Sequence, residues 1–183
     1  MKKINSFLIA IAICFSLIYL LFNFNISKLI LILIIIFLLF LPKIVKNKFK
    51  VNDKLELFYT IFIILTLLIG FVFKVYDILK YYDRFVHFLS GILNSALAIS
   101  ILNNTKLKNR TIIFDILFII VFSISISSLW EILEYISDLI FNCNFQDIET
   151  GVNDTMLDMI LSLTSTIIFS IVYYFKTNKL VNN

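Results

Sequence analysis

Apolar residues along the chain fall into six blocks, separated by short segments that carry most of the charge. A helix needs about 20 residues to cross a hydrocarbon layer of ~30 Å, and the blocks are about that long. Only helices and closed barrels satisfy every backbone polar group in lipid. The blocks lack the alternation of a transmembrane barrel. The pattern therefore predicts an all-α, polytopic transmembrane helical bundle, with helices at residues 6–24, 29–45, 55–73, 84–102, 111–138 and 154–175.

Composition excludes a soluble domain of any size. Hydrophobic residues make up 61% of the 183 positions and charged residues 15%, whereas soluble domains carry roughly 25% charge. The first block follows Lys2 and Lys3, but no small-x-small cleavage site comes after it, so we interpret it as a retained helix. We expect residues 1–183 to form a single integral membrane domain in the plasma or inner membrane of the cell, with the lipid bilayer as partner.

Lysine and arginine predict the orientation of the chain. If the N-terminus is inside, twelve of these residues lie in the termini and the segments at 43–54 and 106–110, and four lie on the other side. Such a bias predicts that both termini are cytoplasmic. The net charge of +4 does not indicate nucleic-acid binding, because the basic residues lie in short segments between apolar blocks.

Acidic residues are distributed in the opposite sense, and nine of the twelve belong to the outer side. Seven residues, one of them a histidine, form closely spaced sets on three helices. They are Asp83 and His87 at the start of the fourth helix, Glu131, Glu134 and Asp138 at the end of the fifth, and Asp154 and Asp158 at the start of the sixth. Residues three or four positions apart lie about 5–6 Å from each other on one helix face. Because consecutive helices cross in opposite directions, all three sets lie at one membrane depth.

Like charges this close together are costly when they are partly desolvated, so either some carboxyl groups hold protons or a cation binds among them. Carboxylates with a histidine suit Mn²⁺, Fe²⁺ or Zn²⁺, and carboxylates with water suit Mg²⁺ or Ca²⁺. The predicted ligands of a divalent metal are Asp83, His87, Glu131, Glu134, Asp154 and Asp158. Arg84 and Asp138 are the predicted substrate-binding residues, since an arginine beside the ion can hold an anionic group such as a lipid phosphate.

A simpler interpretation also accounts for part of this pattern. Acids near a helix N-terminus interact favourably with the helix dipole, which explains those that open the fourth and sixth helices. It does not explain the three acids that close the fifth helix, where the dipole disfavours them. Trp130 next to them is interpreted as an anchor at the membrane interface.

These motifs resemble the YjdF-type family of bacterial inner-membrane proteins. The resemblance covers roughly residues 55–175 and leaves out the first two helices. It consists of Asp83-Arg84-x-x-His87-Phe88-x-x-Gly91, Glu131-x-x-Glu134 and Gly151-x-x-Asp154-Thr155-x-x-Asp158-Met159. The order of motifs is also similar to that of VanZ-like membrane proteins, although Glu134 stands where a glutamine is expected there. The resemblance to the YjdF-type family implies a polytopic membrane protein and supplies no activity.

Three functions are compatible with the sequence. The first is a metal-dependent enzyme that acts on a lipid-linked or envelope substrate at the outer membrane face, with remaining carboxylates as general base. The second is a small carrier that attracts cations or relays protons. Against this function, the sequence shows no inverted repeat and few of the Gly or Pro breaks in helices that transporter sites commonly use. The third is a non-catalytic membrane protein in which the acids form a salt-bridge network around Arg84.

Overall fold

The structure, a computed structural model, describes residues 1–49, 51–105, 107, 109–141 and 151–181. Its helices are α1 (Lys2–Phe22), α2 (Ile26–Phe49), α3 (Asp53–Ile63, continued by a π-helical segment, Ile64–Val72), α4 (Val75–Ile78), α5 (Tyr82–Asn104), α6 (Ile112–Phe141) and α7 (Val152–Val181). Six of them are long and apolar enough to cross a membrane, so the predicted all-α fold with six spans is confirmed. The cytoplasmic location of the termini stays a prediction. Lys50, Lys106 and Lys108, which contribute to it, lie outside the described residues.

Most helices extend beyond the apolar block that predicted them. The last helix, for example, was predicted at 154–175 and runs from Val152 to Val181. The apolar block marks only the part of a helix that lies in hydrocarbon. A helix keeps its backbone hydrogen bonds when it continues into the polar interface, so hydropathy underestimates its length.

The π-helical segment and the short helix α4 were not predicted. They meet at Gly70, where an added Cβ atom would lie 2.2 Å from the Tyr76 ring. The Tyr82 hydroxyl donates to the carbonyl of Leu65 at 2.9 Å, within the π-helical segment. These features involve contacts between residues on different helices, which local hydropathy does not report.

The chain divides into two compact units, Met1–Tyr82 and Asp83–Asn183. The predicted single membrane domain stays a prediction. The first unit has an apolar core supplied by α1, α2 and the α3 region. Its members are Ile9, Ala12, Ile35, Leu39, Ile63, Leu67, Leu68 and Val72.

A polar network joins the helices of the first unit at one end. Lys46 on α2 lies 2.8 Å from an oxygen of Asp53 and 2.6 Å from one of Glu56. The side-chain amide of Asn5 on α1 donates to the other Glu56 oxygen at 2.9 Å. Asn52 accepts from the backbone amides of Lys54 and Leu55 and caps α3. The network therefore ties α1, α2 and α3 together where α3 begins.

The second unit contains α5, α6 and α7, and its interior differs from that of the first. Gly91 on α5 packs directly on α7, since an added Cβ atom would lie 2.1 Å from the Ser162 carbonyl oxygen. Every described buried residue of α7 is polar: Asp158, Ser162, Ser165, Thr166 and Ser170. Small side chains allow helices in lipid to approach closely and to hydrogen-bond across the interface.

Candidate functional site

Three helices of the second unit bring acidic side chains around His87. Asp83 lies one turn before His87 on α5, Glu131 and Glu134 lie on one face of α6, and Asp158 lies near the start of α7. We call these five residues the His87 cluster. His87, Glu131 and Asp158 are 5%, 4% and 3% exposed, so the centre of the cluster is buried.

The imidazole of His87 lies between two carboxylates. Its Nε2 is 3.5 Å from Oδ1 of Asp83, and its Nδ1 is 3.7 Å from Oε1 of Glu131. Both ring nitrogens therefore face an acidic oxygen. A neutral imidazole can donate from only one of its nitrogens, whereas a protonated one donates from both.

Two overlapping groups in the cluster have the composition of a metal site. One consists of Asp83, His87 and Asp158, and the other of His87, Glu131 and Glu134; within each group one donor atom per residue lies within 4.8 Å of the others. Bonds of about 2.1 Å to a metal place neighbouring donors roughly 3 Å apart. The residue types fit a divalent ion of the Mn²⁺, Fe²⁺ or Zn²⁺ kind, and binding requires these donors to converge.

The other predicted site residues lie around this centre. Asp154 is half-buried in the first turn of α7, and Asp138 is half-buried two turns beyond Glu131. Among the described residues, the two metal-type groups include neither of them. Arg84 follows Asp83 directly and is also half-buried. Five of the six predicted ligands thus come together, and the role of each as a ligand stays a prediction.

Trp130 contacts the cluster, although its sequence position predicted only an interfacial anchor. Its indole N–H donates to Oε1 of Glu134 at 2.8 Å, while the residue as a whole is exposed. The exposed ring agrees with an interfacial anchor, and the hydrogen bond shows that Trp130 also orients Glu134. The spacing of four residues between the two was the available signal.

Hydroxyl groups line the interface between α6 and α7 below the cluster. Ser123 and Thr166 lie 2.7 Å apart across this interface, and the Thr166 hydroxyl is also 3.3 Å from the Gly91 carbonyl oxygen. At the opposite end the Tyr173 hydroxyl donates to Asp115 at 2.7 Å. The two cross-helix contacts show that α6 and α7 run antiparallel.

Asp115 has a different environment from the acids of the cluster. Its carboxylate lies 2.8 Å from Nε of Arg110, and the same guanidinium donates to Asn103 at 2.6 Å and to the Leu102 carbonyl. Arg110 thereby joins the end of α5 to the start of α6. The Asp115 carboxylate already has the Arg110 guanidinium as counter-charge and accepts a hydrogen bond from Tyr173, so it needs no further cation. We therefore interpret Asp115 and Arg110 as a structural ion pair.

The fold and the buried acidic cluster define a multi-pass helical membrane protein with a buried acidic cluster among its last three helices. The chain belongs to the family described as a predicted membrane protein (DUF2238), which matches residues 4–179. This is the YjdF-type family indicated by the motifs, and the match also takes in the first two helices. Comparison with curated proteins and with solved structures gave no match. The looser likeness to VanZ-like proteins stays a prediction.

Proposed function

We propose that the His87 cluster binds a divalent metal ion and that the protein is a metal-dependent enzyme acting on a lipid-linked or envelope substrate. The observation that supports this proposal is the convergence of four carboxylates from three helices on one buried imidazole. Burial without a counter-charge is expensive for carboxylates. A divalent cation among them offsets that cost and supplies a Lewis acid or an activated water.

The membrane setting supports the choice of substrate. The bias of basic residues supports a position of the cluster at the outer face of the plasma or inner membrane, with both termini in the cytoplasm. A buried site near the ends of membrane-spanning helices is reached most easily by a molecule that itself lies in the bilayer. Arg84, next to Asp83 in the chain, is the proposed contact for an anionic group of that substrate.

One observation favours a second candidate function, a metal-free structural network. His87 faces Asp83 through one nitrogen and Glu131 through the other, which is an arrangement that a protonated imidazole also satisfies. In that case the cluster holds α5 and α6 together and performs no chemistry.

Metal analysis of the purified protein separates the two functions. We would measure the metal content by mass spectrometry in the parent, in His87→Ala and in Asp158→Asn. The matched control is Asp77→Asn, which removes an exposed carboxylate in the first unit. The enzyme proposal expects near-stoichiometric metal in the parent and the control, and loss of metal in both cluster variants. Metal retained in both cluster variants, or no metal in the parent after incubation with Mn²⁺ and Zn²⁺, would contradict it.

A further inference from the structure

The interface between α6 and α7 has a register that two contacts determine. Ser123 pairs with Thr166, and Asp115 pairs with Tyr173. One turn from Ser123 toward the His87 cluster lies Ser127, and one turn from Thr166 in the same direction lies Ser162. The rise per turn is equal on both helices, so Ser127 and Ser162 occupy the same layer of the interface, directly below Glu131 and Asp158.

The hydroxyls of Ser127 and Ser162 stand out from their neighbours. They belong to residues 5% and 1% exposed, and neither Oγ has a hydrogen-bond partner among the residues that the structure describes. Other buried serines of α7 donate to their own helix: Ser165 to the Ser162 carbonyl at 2.9 Å and Ser170 to the Thr166 carbonyl at 2.8 Å.

A third atom of the same kind lies one turn away. Oδ1 of Asp158 is also buried and without a hydrogen-bond partner within the described part of the chain, and the residue is 3% exposed. Buried polar atoms are nearly always hydrogen-bonded, to protein or to ordered water. Three such atoms on adjacent turns of two packed helices match the roughly three hydrogen bonds that a buried water makes.

We propose that Ser127, Ser162 and Asp158 bind an ordered water molecule beneath the His87 cluster. The direct Ser123–Thr166 hydrogen bond closes the next layer, so the water is confined to the layer of Ser127 and Ser162. The water site adjoins the His87 cluster, on which the proposed function rests. Binding of the water does not require a bound metal ion.

The first test is a double-mutant cycle on thermal unfolding in detergent, with chelator present so that metal has no influence. Ser127→Ala and Ser162→Ala each remove one partner of the water, so each is expected to lower the melting temperature. The double variant is expected to melt no lower than the less stable single variant, because both changes disrupt the same water. Ser170→Ala is the matched control, and combined with Ser127→Ala its effect is expected to be additive.

Infrared spectroscopy then identifies the bound molecule. The parent and Ser170→Ala are expected to show an O–H stretching band that shifts in H₂¹⁸O and that is missing in Ser127→Ala and Ser162→Ala. If an alanine variant does not fold, Ser127→Cys or Ser162→Cys replaces it, because cysteine is close to serine in size.

Two results would overturn the water site. Unchanged or raised melting temperatures in both single variants would show that the two hydroxyls bind no water. Non-additive effects of Ser127→Ala and Ser162→Ala on the melting temperature, without an isotope-sensitive band, would show that the two hydroxyls hydrogen-bond to each other directly.

Discussion

The two units of the chain bury different kinds of side chain. The interior of Met1–Tyr82 is built mainly from isoleucine, leucine and valine, whereas the described buried positions of α7 in Asp83–Asn183 are all polar. Apolar side chains gain little from leaving lipid for a protein interior, because lipid tails are equally apolar. Both units therefore depend on close packing, which the first achieves with branched side chains and the second with Gly91 and hydroxyl groups.

The polar networks of the two units also differ in their balance of charge. In the first unit Asp53 and Glu56 share the ammonium group of Lys46, and Glu56 also accepts from Asn5. In the second unit four carboxylates surround one imidazole. A network with its own cation serves to hold helices together, while an excess of buried acids calls for protons or an external cation. The following predictions test this contrast, from the largest expected effect to the smallest.

The largest effect is expected from Gly91→Ala. Its Cβ atom would overlap the Ser162 backbone, which cannot move without shifting α7. We expect a loss of about 3 kcal/mol or more in unfolding free energy, at the upper end of overpacking effects. Gly70→Ala in the first unit is the control, since the three atoms nearest to its Cβ atom all belong to the Tyr76 side chain, which can move more easily than a helix backbone. Unfolding in detergent compares the two, and equal losses would show that the α5–α7 contact is not unusually close.

Metal is expected to stabilise the second unit selectively. At a free concentration 100-fold above the dissociation constant, an ion that binds only the folded protein adds about 2.7 kcal/mol. We expect Mn²⁺ or Zn²⁺ to raise the melting temperature of the parent and of Asp77→Asn, and a chelator to reverse the shift. His87→Ala should show no shift. A shift of the same size in His87→Ala would locate the ion elsewhere.

In the first unit, Lys46→Met is expected to lower the free energy of unfolding by about 2 kcal/mol. It leaves Asp53 and the buried Glu56 without their cation, and breaking a fully buried ion pair costs about 3–5 kcal/mol. Lys46 is partly exposed, which reduces the loss. Adding Glu56→Gln removes one of the two orphaned charges and should restore part of the stability. Chemical denaturation measures both variants, and no recovery in the double variant would argue against the ion pair as the cause.

The smallest effect is expected at the Ser123–Thr166 contact. Each of Ser123→Ala and Thr166→Val removes one side of a buried hydrogen bond, at a cost of about 1 kcal/mol. Because the partners are in direct contact, the two losses should not add in the double variant. Additive losses in thermal unfolding would show that the α6–α7 register does not depend on this bond.

Much of the candidate site could be predicted from spacing. Asp83 and His87 are four residues apart, and Glu131 and Glu134 are three apart, so each pair lies on one face of any helix that contains it. Their common depth followed from the alternating direction of the helices. Which acids reach the histidine did not follow, because neighbouring helices set both the rotation of each helix about its axis and its position along that axis. Asp158 reaches His87, while Asp154, on the same face, lies outside the metal-type groups.

The sequence by itself determined the class of protein and its six membrane-spanning helices. Hydropathy over about 20 residues is a local property. The absence of water in lipid leaves the backbone only helices and closed barrels, and the apolar blocks lack the alternation of a barrel. The tertiary structure alone decided the division into two units and the register of α6 against α7, in which Ser123 lies opposite Thr166. These depend on contacts between residues distant in the chain, for which local hydropathy holds no information.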